Sequence, residues 1–363
     1  MMKFVHGVLA ATLSVPALAT DNGWAGLDQE IESLTASLSA AETTGPRLGG
    51  WLRVSYRHSE DDFHTGGAGA PDQSGFQFDR VRVELTGEVG DDYGYKISFD
   101  VSDGNRAGHG ASPNGPVTLR DAYATWQLSD RIKGQIGRFK EPIVASGLVS
   151  RSRLVFLDRT AIGDALAGRD LGAGLNGHFD VVNWWLVVQD GIDGQADERK
   201  YTARFSADIA GTSGKKLMEG AYGASDQTVL RVGVAWQSDT ALDDGTLIAG
   251  EVGLNTGPFS IAAETVDFDD GTAGAFGRTI LINDPANTTP WDVTATFLIT
   301  PEFELAGRYE DTDDVDNTTS FSFSLNYYVH GHDIKWVFQW RKIKTDDLIG
   351  DSDQLGLGLT VAY

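Results

Sequence analysis

From about residue 47 to its last residue, this chain repeats segments of roughly ten residues with apolar side chains at every second position, the period that sends neighbours to opposite faces of a strand. The last segment is the clearest. Leu355, Leu357, Leu359, Val361 and Tyr363 share one face, and Gln354, Gly356, Gly358, Thr360 and Ala362 share the other. Phe321, Phe323, Leu325, Tyr327 and Val329 alternate in the same way with Ser320, Ser322, Ser324 and Asn326, and Ile334, Trp336, Phe338 and Trp340 with Lys335, Gln339 and Arg341. Earlier examples run over Leu48–Tyr56, Val81–Leu85, Tyr95–Val101, Leu230–Trp236 and Phe303–Tyr309.

Such a pattern has two homes. In a water-soluble sandwich or barrel the polar face is the outside and the apolar face fills an interior. In a transmembrane barrel the apolar face meets lipid. The 17 Phe, 10 Tyr and 9 Trp favour the second, because aromatic stripes fit poorly inside a closed barrel but serve as girdles at the two membrane interfaces. No apolar run beyond the first twenty residues is long enough for a helical span, so a membrane crossing has to be made by strands. At about 21 residues per strand and connection the chain accommodates about sixteen strands, with fourteen or eighteen as neighbouring solutions. The expected fold is all-β, a transmembrane antiparallel β-barrel.

Ahead of it, residues 1–19 read as a signal peptide: Lys3, a mostly apolar run from Val8 to Ala17, then Ala17-Leu18-Ala19 before Thr20, the small-residue pattern of a cleavage site. A retained anchor is the alternative, although the run is short for one. Residues 20–46 read as a short helical or coiled-coil periplasmic segment, since Leu27, Ile31, Leu34, Leu38 and Ala41 follow heptad spacing. That seam suits a homotrimer, and equally a lone helix at the barrel rim. The barrel takes 47–363. No cysteine is present, which removes lipid attachment, disulfides and thiolate chemistry. The expected location is a bacterial outer membrane, with lipid as one partner and small hydrophilic solutes as the other.

In a channel, the chemistry lies in charges lining the bore and in any loop that narrows it. Strand parity places Arg53, Arg57, Arg80 and Arg82 on the polar face, with Lys96, Arg204, Arg231, Arg308, Lys335 and Arg341. Glu84, Glu88, Asp100, Asp208, Glu304 and Glu310 lie there too, so structural ion pairs across neighbouring strands are the competing reading of each arginine. The stretch from about 138 to 170 breaks the alternation and exceeds a hairpin turn, which marks a constriction loop. It carries Arg138, Lys140, Arg151, Arg153, Arg159 and Arg169 against Glu141, Asp158, Asp164 and Asp170, in a chain of formal net charge -23. Local positive charge on so acidic a background points to anions, and a guanidinium fork can pass phosphate, sulfate or carboxylate oxygens along. The same acidity argues against nucleic acid as a partner.

The runs QFDRVRVELTGEVGDDYGYKISFDVSD, LRDAYATWQL and GQIGRFKEPIVASGLVSRSRLVFLDRTAIGDALAGRDLGAGL resemble the phosphate-selective porin family, the O and P type porins. The resemblance implies a trimer of sixteen-stranded barrels, each with an inward loop and arginines guiding anions to it. It implies roles for Arg80 and Arg82 as paired basic residues of the second strand, and for Arg120 beside Asp121. Arg138 and Lys140 match the segment entering the loop, Asp158 with Arg159 an acidic-arginine pair, and Arg169 the basic residue before the wall resumes. Isoleucine stands at 143 where the family tends to have phenylalanine, and the loop lacks a dense lysine set. The expectation is therefore a passive diffusion channel for small hydrophilic solutes with a preference for anions such as phosphate. Arg138, Lys140, Arg151, Arg153, Asp158, Arg159 and Arg169 would form the constriction, and Arg53, Arg57, Arg80, Arg82 and Arg120 the pore wall.

The alternatives are a general or cation-preferring porin, a plugged adhesion barrel and an outer-membrane hydrolase. No nucleophile motif such as GxSxG supports the last. The expectation includes no cofactor and no metal site. His330 and His332 fall at a turn, and the acidic runs near Asp267 and Asp311 lack a complete calcium-loop spacing.

Overall fold

The computed structural model describes residues 45–60, 73–102, 117–191, 199–211, 219–223, 228–239, 245–269, 288–346 and 351–363. The expected signal peptide and the heptad seam lie outside these residues.

Among the described residues sixteen strands form. They are β1 (Arg47–Ser59), β2 (Gln73–Val89), β3 (Tyr93–Ser102), β4 (Thr118–Ser129), β5 (Ile132–Lys140) and β6 (Arg169–Phe179). β7 (Val182–Gln189), β8 (Lys200–Ala210), β9 (Val229–Asp239), β10 (Gly245–Thr256) and β11 (Phe259–Phe268) follow. β12 (Trp291–Thr300), β13 (Phe303–Asp311), β14 (Thr319–His330), β15 (Ile334–Lys344) and β16 (Ser352–Ala362) complete the chain. Each pairs antiparallel with its neighbours in sequence, and β1 closes on β16. Closure leaves no strand edge unpaired, which a strand structure in lipid requires. The seam is locked at one rim, where Gly50 and Tyr363 exchange backbone hydrogen bonds of 3.1 and 3.0 Å.

That rim also carries tight turns, among them those through Gly90, Asp180 and Gly257. Each has positive φ, 66°, 53° and 53°, a region that glycine enters freely and aspartate tolerates. The opposite rim bears longer connections. The alternation read from the sequence sorts the two faces as expected: Phe76, Ile136, Phe205, Ile248, Phe297 and Leu357 are exposed on the outer wall, while Arg53, Ser98, Arg204, Glu304, Ser324 and Lys335 are buried within.

Seven register slips bend this rule among the described residues, and three of them shape the charged wall. The register slips at Asp79 between β1 and β2, at Val101 between β2 and β3, and at Arg120 between β3 and β4. Each inserts one residue, a bulge that lets two successive side chains face the same way. Asp79 and Arg80 thus both point inward, as do Arg120 and Asp121, where strict alternation would have split each pair.

Residues 141–168, between β5 and β6, fold into the barrel. They contain α1 (Ala145–Leu148), a 3-10 turn at Arg151–Arg153 and α2 (Ala161–Ala165). Ile143, Leu154, Phe156, Leu157, Ile162 and Leu166 of this loop are almost fully buried. Its apolar side packs on an inward patch of Ala235, Leu247, Ala249, Val266 and Phe268. Burial of each large side chain contributes about 1.5–3 kcal/mol. The small residues of β16 serve this packing. A Cβ on Gly356 or Gly358 would come within 2.5 or 2.6 Å of Leu157 side-chain carbons, so the room they leave is filled by the loop.

Candidate functional site: the inward loop and the charged wall

The wall holds the loop through its backbone. Cations of the wall take carbonyls. Arg53 donates to Leu157 O at 2.8 Å and also to Arg151 O, Arg308 to Asp158 O at 3.0 Å, Lys335 to Leu154 O and Arg204 to Ile143 O. Lys140 donates to Gly147 O, 2.6 Å, and Arg159, within the loop, to the carbonyls of Ser146, Gly147 and Val149. Acceptors of the wall, and Glu219 of the β8–β9 connection, take N–H groups. Ala145 N donates to Glu251, Ser146 N to Glu264 (both 2.8 Å), Val155 N to Glu219, Leu157 N to Gln339 (both 2.7 Å) and Ala161 N to Glu310 (2.6 Å).

The first N–H groups of a helix have no partner inside it, and here carboxylates from strands supply one to α1 and α2. Thr160 adds a local cap, accepting from Gly163 N at 2.9 Å. A buried backbone group left unpaired costs about 1–3 kcal/mol, so an irregular loop at this depth needs such partners. Burial, with Arg151 nearby, lowers the Arg159 guanidinium from its ordinary value; it stays cationic at neutral pH.

A second set of charges is paired with acids. Asp100, with no exposed surface, accepts from Arg82 at 2.7 and 2.9 Å and from Arg80 at 2.9 Å, with Arg120 at 3.2 Å. Asp121 accepts from Arg169 at 2.7 Å and from Ser98 Oγ at 2.6 Å. Four guanidinium groups on two carboxylates leave this part of the wall cationic. The bulges at Val101 and Arg120 bring the group together. Arg57 bridges Asp158 of the loop and Asp79 of the wall, 2.6 and 2.9 Å, and Arg151 pairs with Asp164.

Of the residues singled out from the sequence, Arg80, Arg82, Arg120 and Arg169 therefore converge, Arg53, Lys140 and Arg159 staple the loop, and Arg57, Asp158 and Arg151 join loop to wall or to itself. Arg153 lies in the 3-10 turn and lines a cavity beside the loop. Arg138 is not brought to them: it pairs in register with Ala122 and Leu171, in the row that turns Ile136 and Leu171 to the outer wall.

Two features escaped the sequence reading. Glu251, Glu264, Asp292 and Glu310 stand in register across β10 to β13 as a row of inward carboxylates. On the rim of tight turns, the β8–β9 connection also sends Glu219–Gly223 inward. Glu219 holds Arg308 as well as Val155 N, and Tyr222 stacks on Tyr328 with centroids 3.8 Å apart. The length of the connection from 211 to 228, at a rim of two- and three-residue turns, was the available signal.

A closed barrel with an apolar outer band, a charged interior and a loop folded into the bore is a porin by class. The sequence profile of phosphate-selective porin O and P matches residues 56–275, and the chain belongs to that family of outer-membrane channels. Solved structures of the same fold include the outer membrane channel DcaP of Acinetobacter baumannii, at TM-score 0.56 and 14% identity, over 88% of this chain and 97% of that one. The anion-selective porin from Comamonas acidovorans matches at TM-score 0.57 and 12% identity, over 88% and 99%, and Pseudomonas putida OprB at 0.58 and 8%, over 91% and 97%. At these identities the likeness is one of fold. Among curated protein sequences none is significantly similar to the chain.

Proposed function

We propose that the chain is a passive diffusion channel for small hydrophilic solutes with a preference for anions such as phosphate, working as a homotrimer after removal of residues 1–19. One observation carries the sign of the preference: Arg80, Arg82, Arg120 and Arg169 share only two carboxylates, Asp100 and Asp121, beside the inward loop. A wall with cations in excess raises the local concentration of anions and lowers that of cations. Guanidinium groups already hydrogen-bonded to carboxylates are fixed in place and offer remaining N–H donors to a passing oxyanion. Diffusion requires that such contacts be many and weak, since one tight site would stop the flow. The name of the Comamonas porin gives the same preference to a barrel of this fold. Arg153, open to the cavity beside the loop, is the loop cation best placed to add to this field; the other loop cations act through the shape of the constriction.

The row Glu251, Glu264, Asp292 and Glu310 favours a cation-preferring channel as the second reading. Three of these four are engaged with loop N–H groups, which favours a structural role. The zero-current potential of the purified protein in a planar bilayer under a potassium chloride gradient separates the readings. A potential of the anion-preferring sign supports the proposal, one of the opposite sign replaces it with the second reading, and no conductance leaves a plugged barrel.

A further inference from the structure

Between the inward loop and the rim where β1 begins and β16 ends lies a cavity of about 670 Å³, bounded by Gly49, Gly50 and Tyr363 on the rim and by Leu148, Val149, Ser150, Ser152 and Arg153 of the loop. That volume falls in the range of small-molecule sites. Its lining is of two kinds. Five aromatic side chains reach it, Trp51, Tyr123, Phe139, Trp185 and Tyr363, with Pro142, Leu148 and Val149 adding apolar surface. Five cations reach it too, Arg82, Lys96, Lys140, Arg153 and Arg169, against three acids, Glu84, Asp121 and Asp333.

Most of these charges are spoken for. Lys96 pairs with Glu84 at 3.1 Å and Arg169 with Asp121, Arg82 holds Asp100 and Lys140 holds loop carbonyls. The Arg153 guanidinium has no hydrogen-bond or ion-pair partner among the described residues. Trp51 is only 5% exposed, and its indole Nε1 is a buried donor without an acceptor.

An inorganic oxyanion answers the charge but leaves the aromatic and apolar surface facing water. A ring bearing a carboxylate answers both, with the ring against aromatic faces and the carboxylate on a guanidinium. Resting on the channel reading above, we propose that this cavity is a binding station for aromatic carboxylates on the solute path, with Arg153 and Trp51 as its recognition groups.

The probe is benzoate, with acetate as the same charge without the ring and cyclohexanecarboxylate as the same bulk without the π-face. Binding to the full chain in detergent is read by titration calorimetry, and chloride current in a bilayer is read separately. The expected result is saturable binding of benzoate about tenfold or more tighter than acetate, with cyclohexanecarboxylate between them, and a loss of about tenfold in Arg153→Gln. Trp51→Phe, which keeps a ring and loses the N–H, is expected to lose less than Trp51→Leu. Arg153→Gln removes a side chain with no partner among the described residues, so it keeps the test informative even where Trp51→Leu fails to assemble. Benzoate and acetate indistinguishable in binding overturns the site, whatever the chloride current. Tight benzoate binding without conductance keeps the site and overturns the channel reading.

Discussion

At Asp100 a buried carboxylate meets Arg80, Arg82 and Arg120, so Asp100→Asn leaves three guanidinium groups facing one another across a neutral amide. Removing one member of a buried charge set costs about 3–5 kcal/mol, and the heat-induced mobility shift of the folded barrel on gels is expected to occur at a clearly lower temperature. Asp292→Asn should act in the other direction. Asp292 is buried, opposes Glu264 and Glu310 in register, and has one carboxylate oxygen without a partner; an amide there removes like-charge repulsion and adds donors, with a gain of about 1 kcal/mol. A lower unfolding temperature for Asp292→Asn would contradict this. The sequence placed Arg53, Arg80, Arg82, Arg308 and Lys335 on the inner face by parity alone. It did not place Arg120 beside Asp121 by that rule, because a bulge is decided by the partner strand. Nor did it separate staples from field cations: whether a guanidinium meets a backbone carbonyl or open space depends on a loop about a hundred residues away in the chain.

At the scale of elements, the loop of 141–168 lay within the stretch that the broken alternation picked out between 138 and 170. Its interior was illegible for a physical reason. α1 and α2 span four and five residues, too short to be stable alone, and they persist because Glu251, Glu264 and Glu310 reach their first N–H groups from strands 106, 118 and 149 residues further on. The staples are open to test. Lys335→Met keeps the length of the side chain and removes the donor to Leu154 O, a loss of about 1–3 kcal/mol confined to the loop. The expected result is an unchanged β-sheet signal in circular dichroism with larger and noisier single-channel currents. Currents indistinguishable from the parent would mean that the loop is held without this contact. The segment Glu219–Gly223, which meets the loop from the opposite rim, belongs to the same mechanical unit, and Glu219→Gln is expected to give a similar but smaller effect.

For the whole molecule, the period of two pointed to a barrel of about sixteen strands with its apolar band outside, and the closed barrel has sixteen, because lipid on one side and a charged bore on the other enforce alternation along most of each strand. Sixteen strands leave a bore wide enough for a loop to enter and still divide it into a narrowed path. Net charge is a poor guide to what that path prefers. The chain carries -23 overall, yet Arg80, Arg82, Arg120 and Arg169 gather by fold around two carboxylates on one arc of the inner wall, and it is the local charge that a permeating ion meets. The double variant Arg80→Gln with Arg120→Gln, set against Arg231→Gln with Arg341→Gln, which removes the same charge elsewhere on the wall, is the most direct measurement of this claim. Zero-current potential under a salt gradient is expected to shift strongly toward cations in the first variant and little in the second. Equal shifts, or a larger one in the second, would contradict the assignment of selectivity to the arginine group around Asp100 and Asp121.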